Sequence, residues 1–383
     1  LKKITYLISN INKAIAFEWI VEQLDPERYQ LSFILLNPGV SEFENYLAEH
    51  HIPFTRIDYC GPGDLPKALL RTIQIFKKSK PDIIHCHLFD ATLMGLTAGK
   101  LAGVKKRIYT RHHSTYNWQY NKKGVWLDRL INWLATDIVA ISKNVRKVLL
   151  KTEHVPLHKI HLIHHGFDLD AFRIVDKERI KSLSDKHKII GKKPIIGVIA
   201  RWIEWKGIQY IIPAFRKLLE THPDALLILA NANGPYKPEI ERLLHELPED
   251  TFQTIPFEND LFALYQLFDV YVHTPINPTI EAFGQTYVEA LAAGVPSVFT
   301  MSGVAPEFIE HEKNALLVPF EDEHEIYKSI MRLLRDKDLS ARLVENGKRD
   351  IQTFALHHMI HRLEKLYLAS ERQVRRWSDP LSA

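Results

Sequence analysis

DVYVHTPINPTIEAFGQTYVEALAAGVPSVFT, residues 269–300, sets the architecture. It opens on a compact aliphatic run, Asp269–His273, of the length of a buried parallel strand. A loop punctuated by prolines follows, then a helical pattern from about Gln285, then a second apolar run at Pro296–Thr300. Strand, helix and strand in that order make a βαβ unit, the building block of an open parallel sheet. Ligands of such sheets gather at the carboxyl ends of the strands, so the loop after His273 is where chemistry is expected.

The same rhythm extends in both directions. Upstream in the same half lie the runs Pro194–Ala200 and Leu226–Ala230, and downstream lies Ala315–Val318. Ile208, Ile211, Ile212, Phe215, Leu218 and Leu219 form a helical stripe between the first two. In the N-terminal half the runs are Ile4–Ile8, Leu31–Leu36, Asp82–His87, Arg107–Thr110 and Asp137–Ile141. Helical patterns separate these too, at Phe17, Ile20, Val21 and Leu24, and at Leu65, Leu69, Leu70, Ile73 and Phe76. The charged stretch Asp176–Lys193 reads as an interdomain connection. The tail from about His357 to Trp377 is helical in pattern and rich in Arg and Lys. The expected division is an N-terminal Rossmann-like domain over 1–185, a second over 190–356, and a C-terminal helix within 357–383 that packs back on the first.

Composition narrows the class. The 383 residues are 46% hydrophobic and 25% charged, which excludes a disordered chain, a collagen and a disulfide scaffold. Two cysteines, Cys60 and Cys86, make neither a disulfide framework nor a four-thiolate metal site and fit a reducing cytosol. No apolar run reaches the ~18 residues needed to cross a bilayer. The opening LKKITYLISN is too short for a signal peptide and reads as a first strand; because residue 1 is Leu, residues before it are expected. A net charge of +4 is too small to argue for nucleic acid, but it suits an anionic ligand or an anionic membrane surface.

Within the deciding stretch Glu281 and Glu289 stand eight apart, with Phe283 and Gly284 between them. If the helix starts at Gln285, Gly284, Gln285 and Thr286 present bare amides to a phosphate. Two carboxylates flanking that nest can accept hydrogen bonds from vicinal hydroxyls, a sugar on one side and a ribose on the other. A second motif, ARWIEWKG at Ala200–Gly207, delivers Arg201 and Lys206 to one loop, a fork and a point charge suited to a diphosphate. In isolation the two glutamates read as solvated helix carboxylates and the two cations as a surface pair.

These motifs resemble those of the retaining sugar-nucleotide glycosyltransferases of family 4, which have the GT-B fold. EAFGQTYVEALAAGVPSV resembles the family's E-x7-E signature, and ARWIEWKG its G-R-L-x-x-x-K-G. PDIIHCHL, TRHH, VAISKNVRKVL, IHHGFDLDAF and PEFIEHEKNALLVP resemble its landmarks in their usual order. The resemblance implies two Rossmann-like domains whose parallel sheets face an interdomain cleft. It implies Arg201 and Lys206 on the donor diphosphate, stabilising the leaving group. Glu281, with Phe283 and Gly284, would hold the donor sugar, Gln285 and Thr286 would belong to the donor site, and Glu289 would bind the ribose. His112 would stand near the anomeric end, with His113 as its rival. Base contacts would come from backbone near Phe252–Pro256. Retention is commonly described in the family as a front-face reaction in which the departing phosphate takes the acceptor's proton. No metal and no cofactor are expected. One departure is the first loop, SNINKAIAFEW at 9–19, which lacks the family's Gly-Gly pair and leaves Asn10, Asn12 or Lys13 to substitute.

Histidine spacings such as His85-x-His87, His161-x2-His164-His165 and His357-His358-x2-His361 look like metal motifs, but no Glu or Cys completes a ligand set. STYNWQYNKKGVWLDRLINW, residues 114–133, interleaves aromatics with cations, as membrane interfaces do, although a partly buried helix with snorkelling side chains has the same pattern. QVRRW in the tail is equally two-sided, and no nucleic-acid motif accompanies either. The expectation is therefore a cytoplasmic retaining transferase, peripheral at the inner membrane face. It would move a sugar from a nucleotide-diphosphate donor to a glycan or lipid-linked hydroxyl. The alternatives are an epimerase or hydrolase of the same fold, or a non-catalytic binding subunit; the intact charged set argues against the last.

Overall fold

Among the described residues, 1–189 and 191–369 of a computed structural model, the aliphatic runs form two separate all-parallel sheets. The first holds β1 (Lys2–Ser9), β2 (Tyr29–Asn37), β3 (Phe54–Asp58), β4 (Ile83–His87), β5 (Lys106–Arg111), β6 (Asp137–Ala140) and β7 (Ile160–Leu162), in the order β3-β2-β1-β4-β5-β6-β7. The second holds β8 (Ile195–Ile199), β9 (Leu226–Ala230), β10 (Phe252–Ile255), β11 (Val270–His273), β12 (Ser297–Phe299) and β13 (Leu316–Leu317), in the order β10-β9-β8-β11-β12-β13. Both sheets reverse their winding beside the first strand, between β1 and β4 and between β8 and β11. In doubly wound sheets that reversal opens the ligand crevice.

Central strands such as β8 and β9 are buried on both faces, which is why they read as unbroken apolar runs. In the second unit Ile196, Val198, Leu227, Val270 and Val298 of the sheet pack with Ile208, Ile212 and Phe215 of the helix Ile208–Leu219 in one apolar cluster. Removing any one of these from water is worth about 2 kcal/mol.

Leu1–Phe167 with the described residues from Leu356 onward make the first unit, and Asp168–Ala355 the second. The boundary thus differs from the expected break at 185–190. Asp176 caps a helix, Lys177–Lys186, instead of opening a linker. That helix is tied to the second unit by Arg179 to Asp260 at 2.7 Å, and by Lys186 and His187 to Glu258, each at 2.7 Å. A charged surface helix and a solvated linker have the same composition, and the acidic partners some 70 residues later decide between them. Ile190 lies outside the described residues.

The helix Leu356–Leu368 belongs to the first unit. Its Tyr367 hydroxyl meets that of Tyr6 at 2.5 Å and His85 Nδ1 at 2.8 Å, and Lys2 Nζ donates to the Tyr367 carbonyl at 2.9 Å. The tail beyond Ala369, including QVRRW, lies outside the described residues.

Candidate functional site

Four loops at the carboxyl ends of the second unit's strands crowd together, and glycines mark where they touch. Gly207, after β8, has φ +75° and lies so close to the end of β11 that a Cβ there would stand 1.9 Å from the Thr274 carbonyl oxygen. Gly234, after β9, presses on the Trp202 backbone, where a Cβ would meet the carbonyl at 2.2 Å. Gly303, after β12, has φ +62°, and a Cβ would stand 2.5 Å from the Phe283 carbonyl and 2.8 Å from Glu281 Cβ. Gly284 itself has φ +85° and caps the helix Gln285–Ala292. Only glycine combines that backbone with such close approach. The helix starts where the sequence pattern placed it, so its first amides have no intrahelical carbonyl to bond.

The spacing of 75 residues between the two motifs closes to a contact. Lys206 Nζ donates to Glu281 Oε1 at 2.5 Å. Burial pushes the Glu281 carboxyl up, but the Lys206 charge and hydrogen bond, with His273 beside it, outweigh burial and hold it below the usual range. Lys206 is thus fixed by a carboxylate, so its charge is positioned before any anion arrives. Arg201 is exposed at the end of β8. Phe283 is buried, its ring edge-on to Phe354 at 5.8 Å. Gln285 is exposed and Thr286 half-buried at the head of the helix.

Glu289 sits one turn further, buried, and accepts a hydrogen bond from the Tyr265 hydroxyl at 2.9 Å. Burial lifts its carboxyl to about 7, against the opposing pull of that hydrogen bond. The structure also adds a residue that motif reading passed over. His273, the last residue of β11, has Nε2 3.8 Å from Glu281 Oε1 and its ring edge-on to Tyr287. Neither ring nitrogen has a hydrogen-bond partner, and burial pushes the imidazole down to about 3. Thr274 Oγ1 and Ser302 Oγ are likewise buried and unpartnered. Its place at a strand's carboxyl end, just ahead of the motif loop, was the signal available in the sequence.

The first unit has its own polar edge at the ends of β4, β5 and β7. His87 Nδ1 and His112 Nε2 are 3.1 Å apart, His112 stacks on His165 with centroids 5.6 Å apart, and His85 bonds Thr110 Oγ1 at 2.8 Å. Burial, then the neighbouring histidines, push His112 down to about 3, and burial takes His85 to about 3 and His165 to about 4. These rings are neutral at physiological pH. Among the described residues no three His, Cys, Asp or Glu side chains gather as a metal site.

His112 and His113 part company here. His113 Nε2 contacts Asp128 at 3.0 Å, inside a buried network where Arg111 pairs with Asp128 at 3.1 Å and Glu153 at 2.5 Å. Both rings line one cavity of about 220 Å³, with Leu88, Phe89, Thr92 and Asp128 in its wall; they differ in their partners, His112 packing against His87 and His165. In the first loop, Asn10 takes a left-handed backbone at φ +54°, which Asn tolerates. Asn12 is committed to Glu42 by two side-chain hydrogen bonds, while Lys13 is exposed.

Comparison with known proteins agrees with both halves. Residues 20–171 match the family model Glycosyltransferase Family 4, and residues 179–350 match that of Glycosyl transferases group 1. The capsular polysaccharide biosynthesis glycosyltransferase CapM of Staphylococcus aureus is 25% identical over 340 residues, 86% of each chain. The alpha-monoglucosyldiacylglycerol synthase of Acholeplasma laidlawii is 24% identical over 321 residues, 78% of each chain. Anabaena HepE, solved in complex with UDP-glucose, superposes with a TM-score of 0.81 at 22% identity, covering 96% of this chain and 100% of that one. With two Rossmann-like parallel sheets, the GT-B fold class, and family matches along both halves, the chain belongs to glycosyltransferase family 4.

Proposed function

We propose that the second unit binds a nucleotide-diphosphate sugar and that the protein transfers the sugar, with retention, to a hydroxyl of a glycan or lipid-linked acceptor. The observation that carries this reading is the 2.5 Å contact of Lys206 with Glu281 beside the Gly284 helix start. A fixed cation, a carboxylate and bare amides in one loop cluster are what a pyrophosphate joined to a hydroxylated ring requires. Lys206 and Arg201 neutralise the charge that develops on the leaving diphosphate, a role that needs no metal. Glu281 accepts hydroxyls of the donor sugar, and Glu289 those of the ribose. The buried hydroxyls of Thr274 and Ser302 and the neutral His273 supply donors nearby. On the first unit His112, a neutral ring, is assigned to the anomeric end of the donor. The departing phosphate receives the acceptor's proton, so no carboxylate base is assigned. UDP in the HepE structures makes a uridine donor the first to try.

The test begins with thermal shift against UDP-, GDP-, ADP- and CDP-sugars. A donor at a hundred times its dissociation constant raises stability by about 2.7 kcal/mol. With the stabilising donor, Lys206→Ala and Glu281→Gln should each lower turnover about a hundredfold or more while the circular dichroism is kept. A chelator should leave the rate unchanged. Near-normal transfer by both variants would remove these roles, and conversion of labelled donor without acceptor would replace transfer by epimerisation.

A further inference from the structure

The helix Lys122–Leu134, KKGVWLDRLINWL, turns the usual surface pattern inside out. Its buried positions include Gly124, Asp128 and Asn132 beside Val125, Ile131 and Leu134. Its single carboxylate, Asp128, is therefore turned inward, where Arg111 and His113 hold it. The outward positions carry Trp126, 70% exposed, and Trp133, 62% exposed, with Leu127 and Leu130 between them. Lys122, Lys123 and Arg129 share that exposure. An ordinary surface helix sends its polar side to water and its indoles to the core. Large apolar side chains exposed one at a time need no explanation, but four on one short helix do.

The cations are not scattered around this patch but seated on it. The Arg129 guanidinium lies 4.8 Å from the Trp126 ring centroid. The Lys100 ammonium lies 3.6 Å from that of Trp133, reaching over from the neighbouring helix Phe89–Leu101. An indole beneath a cation suits the boundary between hydrocarbon and charged headgroups, where the ring is buried and the charge stays wet. Charge sign selects the occupant. No carboxylate of this helix faces outward, so anionic headgroups complement the face, whereas a second copy presenting the same cations would be repelled. With 13 residues the helix is too short to span, and no described helix is long and apolar enough to cross a membrane. It fits lying in the plane of the interface.

We propose that the outward face of Lys122–Leu134 docks the protein on an anionic lipid bilayer, inserting Trp126, Leu130 and Trp133 at the headgroup level. The test contains no sugar nucleotide, so its failure leaves the transfer reading standing. The full chain is sedimented with vesicles of phosphatidylcholine, or of an equimolar mixture with phosphatidylglycerol. Binding is expected to the mixed vesicles, at least about tenfold weaker to the neutral ones, and to fall with salt. Each cation lost near the surface costs about fivefold in partitioning, so Lys122→Glu with Lys123→Glu should weaken binding about twenty-five-fold or more. Trp126→Ala with Trp133→Ala should weaken it about tenfold or more at unchanged thermal stability. Should a variant fail to fold, quenching of wild-type tryptophan fluorescence by brominated anionic lipid is expected instead. No wild-type binding, variants that bind as wild type, or absent quenching would each overturn the proposal. So would a dimer in vesicle-free buffer that the double tryptophan variant abolishes, which would give the face to a second copy.

Discussion

Replacing Glu289 by Gln should stabilise the second unit in neutral and alkaline buffer and leave it almost unchanged in acid. The carboxyl titrates at about 7 in the folded protein against an ordinary value of 4.5. As pH rises the unfolded chain ionises first, so the folded state loses ground between the two values. Their difference, 7 − 4.5, at about 1.36 kcal/mol per pH unit comes to roughly 3 kcal/mol. Below about pH 4 both states are protonated and the penalty vanishes; above about pH 8 it is complete. Gln does not titrate, matches the shape, and can still accept the Tyr265 hydroxyl bond. For a unit of this size the gain corresponds to a melting temperature higher by about 6–10 °C at pH 8. Calorimetry on both proteins from pH 4 to 8, plotted as the difference, isolates this group because every other titration is shared. A difference that does not change with pH would refute the reasoning. The proposed ribose contact uses the ionised carboxylate, so wild-type affinity for the donor should climb through pH 7 and level above about pH 8, while that of Glu289→Gln stays flat.

His112→Ala and His113→Ala should separate transfer from stability. His113→Ala breaks the contact with buried Asp128 and should cost about 1–3 kcal/mol in urea unfolding, whereas His112→Ala should slow transfer with the smaller stability loss; the reverse pattern gives the functional role to His113. Gly207→Ala places a Cβ 1.9 Å from the Thr274 carbonyl on a backbone at φ +75° and should destabilise by about 3 kcal/mol or more; a melting temperature within a degree of wild type would mean the two loops do not touch.

The strands that the sequence made legible have neighbours on both sides, apart from the edge strand β13, which the apolar run Ala315–Val318 revealed. Leu226–Ala230 is five consecutive buried residues. The strands it hid, β3, β7 and β10, are sheet-edge strands whose residues are partly exposed, so Phe54–Asp58 and Phe252–Ile255 mix Thr, Gln, Arg and Asp into their runs. Such an edge carries no continuous apolar signal because half its surroundings are solvent. At the site, the gathering of Lys206 and Glu281 in one unit followed from their two motifs, whereas their direct ion pair did not. His273 did not, because an isolated histidine at a strand end carries no spacing to read. Nor could sequence separate His112 from His113. That distinction rests on Asp128, fifteen residues beyond His113, turned inward from a helix whose outer face is tryptophan.

The return of Leu356–Leu368 to the first unit reaches back to the chain's synthesis. A ribosome making about 5–20 residues per second needs roughly ten to forty seconds for Asp168–Ala355, all of it after β7 has been synthesised. Throughout that interval Tyr6 and His85 wait for the Tyr367 hydroxyl that closes over them. The second unit is uninterrupted and can complete first, inverting the N-to-C order in which tandem domains are born. A chain cut short just before Leu356 therefore carries a finished second unit joined to an unsealed first one, a natural client for chaperones.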